Sequence, residues 1–289
     1  MSRAGARFSW DQDSVLVFGV LNLTPDSFSD GGLYASADRA LARARAMLDQ
    51  GADLIDVGGE STRPKGAVYG EGYVTLSAAE EIARIADVVG ALEAESLRFA
   101  IDTTKPEVAR FALEHGAEVV NDTSCGASPA LLAEVASSGA ALVLMHNRGR
   151  GEVSGAGYRD LLAEVVAELG DATERALAAG VDESCIAWDP GLGFAKSAED
   201  SLRLLAELSR IVEIGYPVYV GASRKSFLAA HTVRTNQRPE PTGRLGASVA
   251  ACLLAAQAGA RAVRVHDVEE SAQALALDRA TRALRGARC

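Results

Sequence analysis

The feature that most constrains this chain is a unit that recurs along its whole length: a short β-rich run, a loop of polar residues and glycine, then an alanine-rich stretch of helical period. The β-rich runs are VLVFGV (15–20), ADLIDV (52–57), LRFAI (97–101), EVVN (118–121), AALVLM (140–145), SCIAWD (184–189), PVYVG (217–221) and RAVRV (261–265). Between them lie helical segments such as ADRALARARAMLDQG, PEVARFALEHG and DLLAEVVAELGDATERALAAG, several closing at a glycine that takes a left-handed C-terminal turn without strain. About eight copies of one β/α unit is the number that closes a single (β/α)8 TIM barrel of the α/β class. No linker rich in proline, glycine or serine divides the 289 residues. One domain is therefore expected, with an N-terminal extension over 1–14 and the barrel over 15–289. A doubly wound open sheet also alternates strand and helix, but its dinucleotide-binding GxGxxG is missing: the first run leads into LNLTPDSFSDGG.

Composition narrows the partners. A 48% hydrophobic content fills a core of this size without metals or disulfides. The net charge of -10 is spread along the chain, with no basic stripe of the kind that neutralises a nucleic-acid backbone. No apolar run approaches the roughly 20 residues of a membrane helix, and the start MSRAGARFSWDQDS lacks a signal-peptide core. A cytoplasmic location and small-molecule substrates are expected. The four cysteines have no CxxC spacing and read as reduced bystanders, with Cys125 in NDTSCGAS the one placed for a reactive thiol.

In such a barrel the carboxyl ends of all strands share one rim, where the chemistry sits. The polar residues fall there. Asn22 ends the first strand, Asp56 the second, Asp102 the third, Asn121 and Asp122 the fourth, Met145 and His146 the fifth, and Asp189 the sixth; the seventh runs into GASRKSF and the eighth carries Arg264 and His266. Taken singly, the aspartates suit helix caps or turns, Asn121 suits a turn, and His146 suits a satisfied rim residue. Taken together they are stronger, because the amino ends of the strands hold mostly alanine, leucine and glycine. Ser223, Arg224, Lys225 and Ser226 open a helix whose free N–H groups and two cations favour a carboxylate or phosphate. Arg264 beside His266 suits a multiply charged anion such as diphosphate. Asp102, Asn121 and Asp189 suit a flat, nitrogen-rich heterocycle, with Met145 and Phe194 as apolar walls. A cup with an anion side and a heterocycle side is thus expected.

From about Val15 to about Leu284 the chain resembles the dihydropteroate synthases of folate biosynthesis, through GVLNLTPDSFSDGG, DLIDVGGESTRP, AIDTTKPEVA, VVNDTS, WDPGLGFAKS, VGASRKSF and VRVHDV. The resemblance implies a transferase that joins 6-hydroxymethyl-7,8-dihydropterin diphosphate to 4-aminobenzoate. The carbon–oxygen bond would break early, and the arylamine would attack a pterin-stabilised cation. By motif position Asp102, Asn121, Asp189 and Lys225 would hold the pterin, with Met145 and Phe194 alongside. Asp102 would also offset the developing positive charge. Asn22, Arg264 and His266 would bind the leaving diphosphate, with Mg2+ bridging Asn22 and phosphate oxygens, so that Asp102, Lys225, Arg264 and His266 form the catalytic set. Thr62, Arg63, Pro64, Phe194, Lys225 and Ser226 would form the aminobenzoate pocket, the carboxylate lying near Ser226. Thr24, Asp26, Ser27 and Phe28 in the first loop and Ser61 in the second would close over the substrates. The family also implies a homodimer paired through late helices, LGASVAACLLAAQAGA being apolar enough, and inhibition by sulfonamides that mimic 4-aminobenzoate.

Two segments depart from the family pattern. After Pro64 the passage KGAVYGEGYVTLSAAEE is longer than usual, and after the fifth strand MHNRGRGEVSGAGY keeps only the Met-His pair. HTVRTNQRPEPTGR reads as an exposed loop before a further helix beginning near Thr242. Two other functions fit a similar barrel: a pterin-dependent methyltransferase, which has no use for Ser223–Ser226 or for Arg264 with His266, and a pterin-binding paralogue without catalysis, against which the full residue set counts.

Overall fold

Branched and aromatic residues at alternate positions turn each β-rich run into a strand. In the computed structural model, which describes residues 8–23, 33–60, 75–148, 157–232 and 240–286, these are β1 (Leu16–Asn22), β2 (Leu54–Gly58), β3 (Phe99–Asp102), β4 (Val119–Asp122), β5 (Ala141–Met145), β6 (Ile186–Asp189), β7 (Tyr219–Val220) and β8 (Ala262–Val265). All neighbours are parallel, in the order β6-β5-β4-β3-β2-β1-β8-β7. A parallel bridge between Trp188 and Val218 joins the two ends of that order. The Trp188 N–H donates to the Pro217 carbonyl at 2.8 Å. The sheet therefore closes into the expected (β/α)8 barrel.

The alanine-rich stretches form α1 (Leu33–Asp49), α2 (Ala78–Ala94), α3 (Pro106–Glu114), α4 (Pro129–Ser138), α5 (Leu161–Ala178), α6 (Ala198–Ala206), α7 (Leu208–Val212), α8 (Ser226–Thr232), α9 (Leu245–Ala258) and α10 (Val268–Gly286). Their starts follow capping chemistry. Ser77 with Glu80 and Ser197 with Asp200 form reciprocal capping boxes at α2 and α6, and Asp160 caps α5. Gly139 and Gly259 end α4 and α9 with φ of 69° and 101°, the left-handed turn the sequence suggested. The helix expected near Thr242 begins as a 3-10 turn at Pro241–Arg244 that runs into α9.

Strand parity divides the core in two. Val17, Ile55, Val57, Ile101, Val120, Leu142, Leu144, Trp188, Val220 and Val263 point outward and pack against the helices. Leu16, Phe18, Leu54, Ala100, Val119, Ala141, Val143, Ala187, Tyr219 and Ala262 point into the barrel. So many alanines leave room inside, which Phe18 and Tyr219 fill, their ring centroids 5.1 Å apart. Trp10 closes the amino end: it is 2% exposed, stacks on Phe18 at 6.2 Å and donates its indole N–H to the Cys185 carbonyl at 2.9 Å. Part of the segment read as an extension is therefore a plug of the barrel, because burying Trp10 and Phe18 together removes a large aromatic area from water. Among the described residues no helix is long and apolar enough to cross a membrane.

Candidate active site

The site arises from one step of two residues along several strands. Leu54, Ala100, Val119, Ala187 and Ala262 lie in the dry interior. Two residues on, the same inward face carries Asp56, Asp102, Asn121, Asp189 and Arg264. Register fixes their neighbours: Asp102 pairs with Asn121 across β3 and β4, Gly58 with Asp102 across β2 and β3, and Asn22 with Gly58 across β1 and β2. A Cβ on Gly58 would stand 3.3 Å from Asn22 Oδ1 and 3.8 Å from the Asp102 Cβ, so glycine lets both side chains meet over it. Met145 lies opposite Asp189 across β5 and β6 and is 3% exposed.

Arg264 binds the acidic strands together. Its Nε donates to Asp56, and its Nη2 donates to Asp102 Oδ2 at 2.9 Å. The Asp56 side chain is fully buried and that of Asp102 nearly so. Burial raises the Asp102 carboxyl to about 7; Arg264 pulls it down, and Asp56 and Glu81 push it up again. For Arg264, burial opposes the charge, but Asp56 and Asp102 outweigh it and hold the guanidinium above its ordinary range. Asp56 Oδ1, Asp102 Oδ1 and Asn121 Oδ1 are buried and have no protein hydrogen-bond partner. Buried acceptors are seldom left so, and three on one floor invite a ligand rich in N–H donors.

Across the cup, burial lowers the Lys225 ammonium to about 8 against the pull of Asp189, and burial raises Asp189 against Lys225 and the Gly191 N–H. Lys225 donates to the Leu192 carbonyl and lies 4.5 Å from the centroid of the Phe194 ring. Asp189 Oδ1 accepts from the Gly191 N–H at 2.8 Å, so this aspartate also forms a turn. His266 Nδ1 lies 3.1 Å from Ser223 Oγ. Ser226 begins α8 next to Lys225.

The expected pair of cations at GASRKSF is divided. Arg224 has a φ of 60°, and its guanidinium forms an ion pair with Asp267 instead of joining Lys225. Charge is not segregated either, because Arg264 is embedded among the acids. Among the remaining candidates, Asp122 is a turn former, accepting from the Ser124 N–H and Gly126 N–H at 2.8 Å each. His146 is buried behind the rim between Lys196 and Glu168. Burial pushes the Cys125 thiol up to about 11, which leaves it a poor nucleophile. Thr24, Asp26, Ser27, Phe28, Ser61, Thr62, Arg63 and Pro64 lie outside the described residues.

Sequence reasoning missed a partly buried ion cluster following β2 and β3, in which Lys105 pairs with Glu60 and Glu81 and Thr103 Oγ1 donates to Glu81 at 3.0 Å. Glu60 and Lys105 stand inside GGESTRP and TTKPEV, but nothing in either stretch signals that they meet. It also missed the Tyr219 hydroxyl, which is buried without a protein partner.

The pterin-binding enzyme family matches residues 18–266. A dihydropteroate synthase from Mycobacterium leprae is 46% identical over 267 residues, covering 90% of this chain and 91% of that protein. A solved dihydropteroate synthase from Xanthomonas albilineans with 4-aminobenzoic acid superposes with a TM-score of 0.85 at 41% identity, covering 94% of each chain. The Xanthomonas albilineans enzyme in complex with 7,8-dihydropteroate gives 0.81 at 38% identity, covering 94% of this chain and 95% of that one.

Proposed function

The chain belongs to the pterin-binding enzymes, and from that premise we propose that it is a dihydropteroate synthase joining 6-hydroxymethyl-7,8-dihydropterin diphosphate to 4-aminobenzoate. The observation that carries this reading is the floor of unpaired buried acceptors on Asp56, Asp102 and Asn121, facing Lys225 across the cup. A pterin is flat and edged with N–H donors and one carbonyl. It would satisfy Asp102, Asn121 and Asp189 with its donors and Lys225 with its carbonyl oxygen, between Met145 and Phe194.

The carbon–oxygen bond to diphosphate then breaks, the electron pair leaves with the phosphate oxygen, and positive charge develops on the pterin methylene. An ionised Asp102 held in place by Arg264 opposes that charge without reorganising. Arg264 Nη1, beyond the atoms engaged by Asp56 and Asp102, and His266 would receive the diphosphate. The arylamine nitrogen attacks the methylene, forming the carbon–nitrogen bond, and gives up a proton to the departing diphosphate or to water. Its ring would lie against Phe194 and its carboxylate near Ser226, with Thr62, Arg63 and Pro64 completing the pocket.

Mg2+ belongs to the same proposal. Among the described residues no three His, Cys, Asp or Glu side chains assemble a resident metal site. Asn22 Oδ1 over Gly58 is a single hard oxygen, which fits an ion that arrives on the diphosphate and keeps most of its other ligands. There the ion would neutralise leaving-group charge. A homodimer completes the reading, supported by the exposed leucines of α9 and α10, Leu254 at 52% and Leu277 at 68%; a cytoplasmic location is part of the same proposal.

The deciding experiment is colorimetric detection of diphosphate with both substrates and Mg2+. Release is expected to require 4-aminobenzoate, and release indifferent to it would exclude the synthase. A methyltransferase would release none. Lys225→Ala is expected to weaken both substrates, each by about tenfold for the loss of a charged hydrogen bond. Calorimetric titration that finds neither affinity altered would reduce the residue to a structural role.

A further inference from the structure

The segment joining β6 to α6 is held by its own carbonyl groups. Lys196, 3% exposed, turns back under it: its Nζ lies 2.7 Å from His146 Nδ1, 3.1 Å from the Phe194 carbonyl, 3.2 Å from the Gly191 carbonyl and 3.4 Å from the His146 carbonyl. Three carbonyl oxygens accept from this nitrogen, and burial lowers its ammonium to about 7 against the pull of Asp189. With the nitrogen donating in either form, the imidazole nitrogen beside it accepts and carries no proton. His146 therefore has its proton on Nε2, which donates to Glu168 Oε2 at 3.0 Å. Glu168 is fixed in turn by Arg148, whose Nε donates at 2.9 Å. Burial, followed by Lys196, lowers the His146 imidazole to about 3, consistent with that neutral form.

Neighbouring carbonyls are anchored as well. The Tyr158 hydroxyl donates to Ala195 at 3.1 Å, and Lys225 donates to Leu192. The backbone is under constraint here. Ala195 has a φ of 48°, Gly193 of 80° and Gly191 of 67°, and a Cβ on Gly191 would fall 2.0 Å from the His146 carbonyl oxygen. Of these, only Ala195, which carries a Cβ, holds its left-handed angle at a cost, and it would relax from that angle in an uncapped loop.

We propose that Lys196 is a positioning residue: through the carbonyls of Gly191 and Phe194 it sets the loop that presents Phe194 to the arylamine and the Leu192 carbonyl to Lys225. Lys196 touches no substrate. Its ammonium is aimed by His146, and His146 by Glu168, so the chain of contacts runs from α5 to the cup. This role rests on the synthase reading for its kinetic consequence but not for its structural one.

The test is Lys196→Met, which keeps the length of the side chain and removes the charge. The KM for 4-aminobenzoate is expected to rise by about tenfold or more, with kcat within about threefold of the parent, as befits a displaced binding wall. A merely structural lysine would instead lower the active fraction, seen as a smaller apparent kcat at unchanged KM, and that result overturns the proposal. Amide hydrogen exchange over residues 191–195 is expected to accelerate in the variant whatever the enzyme's reaction. Unchanged exchange also overturns it, whereas accelerated exchange in a protein lacking arylamine-dependent diphosphate release would sink the synthase reading alone. If Lys196→Met does not fold, Glu168→Ala decides: this carboxylate is 36% exposed, and its loss is expected to shift KM and loop exchange in the same direction by less. No shift in either counts against the proposal.

Discussion

Asp102→Asn is expected to fold and bind the pterin substrate but to turn over roughly a hundredfold more slowly, about 3 kcal/mol of lost charge stabilisation. The neutral amide keeps an acceptor on β3 while removing the charge that opposes the developing cation. Single-turnover measurement at saturating substrates isolates this step, and an unchanged rate would remove Asp102 from the mechanism. The same group predicts a pH effect. Burial holds the native carboxyl near 7, with Arg264 only partly opposing it, whereas in the unfolded chain it ionises near 4. Between those values the native state binds more protons. This group therefore costs stability progressively as pH rises across that window, and the full cost persists above it. In the free enzyme the charged form needed for chemistry likewise appears only as pH passes about 7. Asparagine should abolish both slopes, seen as a flatter urea-denaturation profile and the loss of an acid limb in kcat/KM.

Arg264→Leu should produce the largest stability change. It would leave the Asp56 and Asp102 carboxylates, both buried, without their shared cation, and breaking a buried pair from one side costs about 3–5 kcal/mol. The deficit should grow with pH, because at low pH Asp102, already raised by burial, takes up a proton and the repulsion between the two buried side chains disappears. Arg264→Lys should recover part of the stability but little activity, since a point charge spans the two acids less well than a planar fork. Urea unfolding at pH 5 and pH 8 checks both variants. A deficit that shrinks as pH rises would contradict the clasp.

How much of this site could be read beforehand depended on strand parity. Arg264 and His266 stand two apart, so any strand through them puts both on one face, and the run RAVRVHDV already implied it. The same period carried Asp102, Asn121 and Asp189 into one cup. Parity does not separate neighbours in a turn. Arg224 and Lys225 are adjacent cations, but the left-handed φ at Arg224 sends it to Asp267 while Lys225 faces Asp189. Asp122 and Asp189 both end strands and both accept from turn amides, yet only Asp189 lies on the inward face beside Lys225. Trp10, placed outside the barrel by its position before the first repeat, is drawn in because alanine-lined interior space needed a large ring.

The sequence by itself determined the closed parallel barrel, the face each strand residue occupies and the end of the barrel that holds the polar groups. Those follow from periodicities of 2.0 and 3.6 residues, which are local. Only the tertiary structure decided which charges neutralise one another. Arg264 meets Asp56 and Asp102 across 208 and 162 residues of chain, and Lys196 meets His146 across 50. A pattern along the chain does not carry such pairings, because each one depends on strand register and on how far burial has stripped water from both partners.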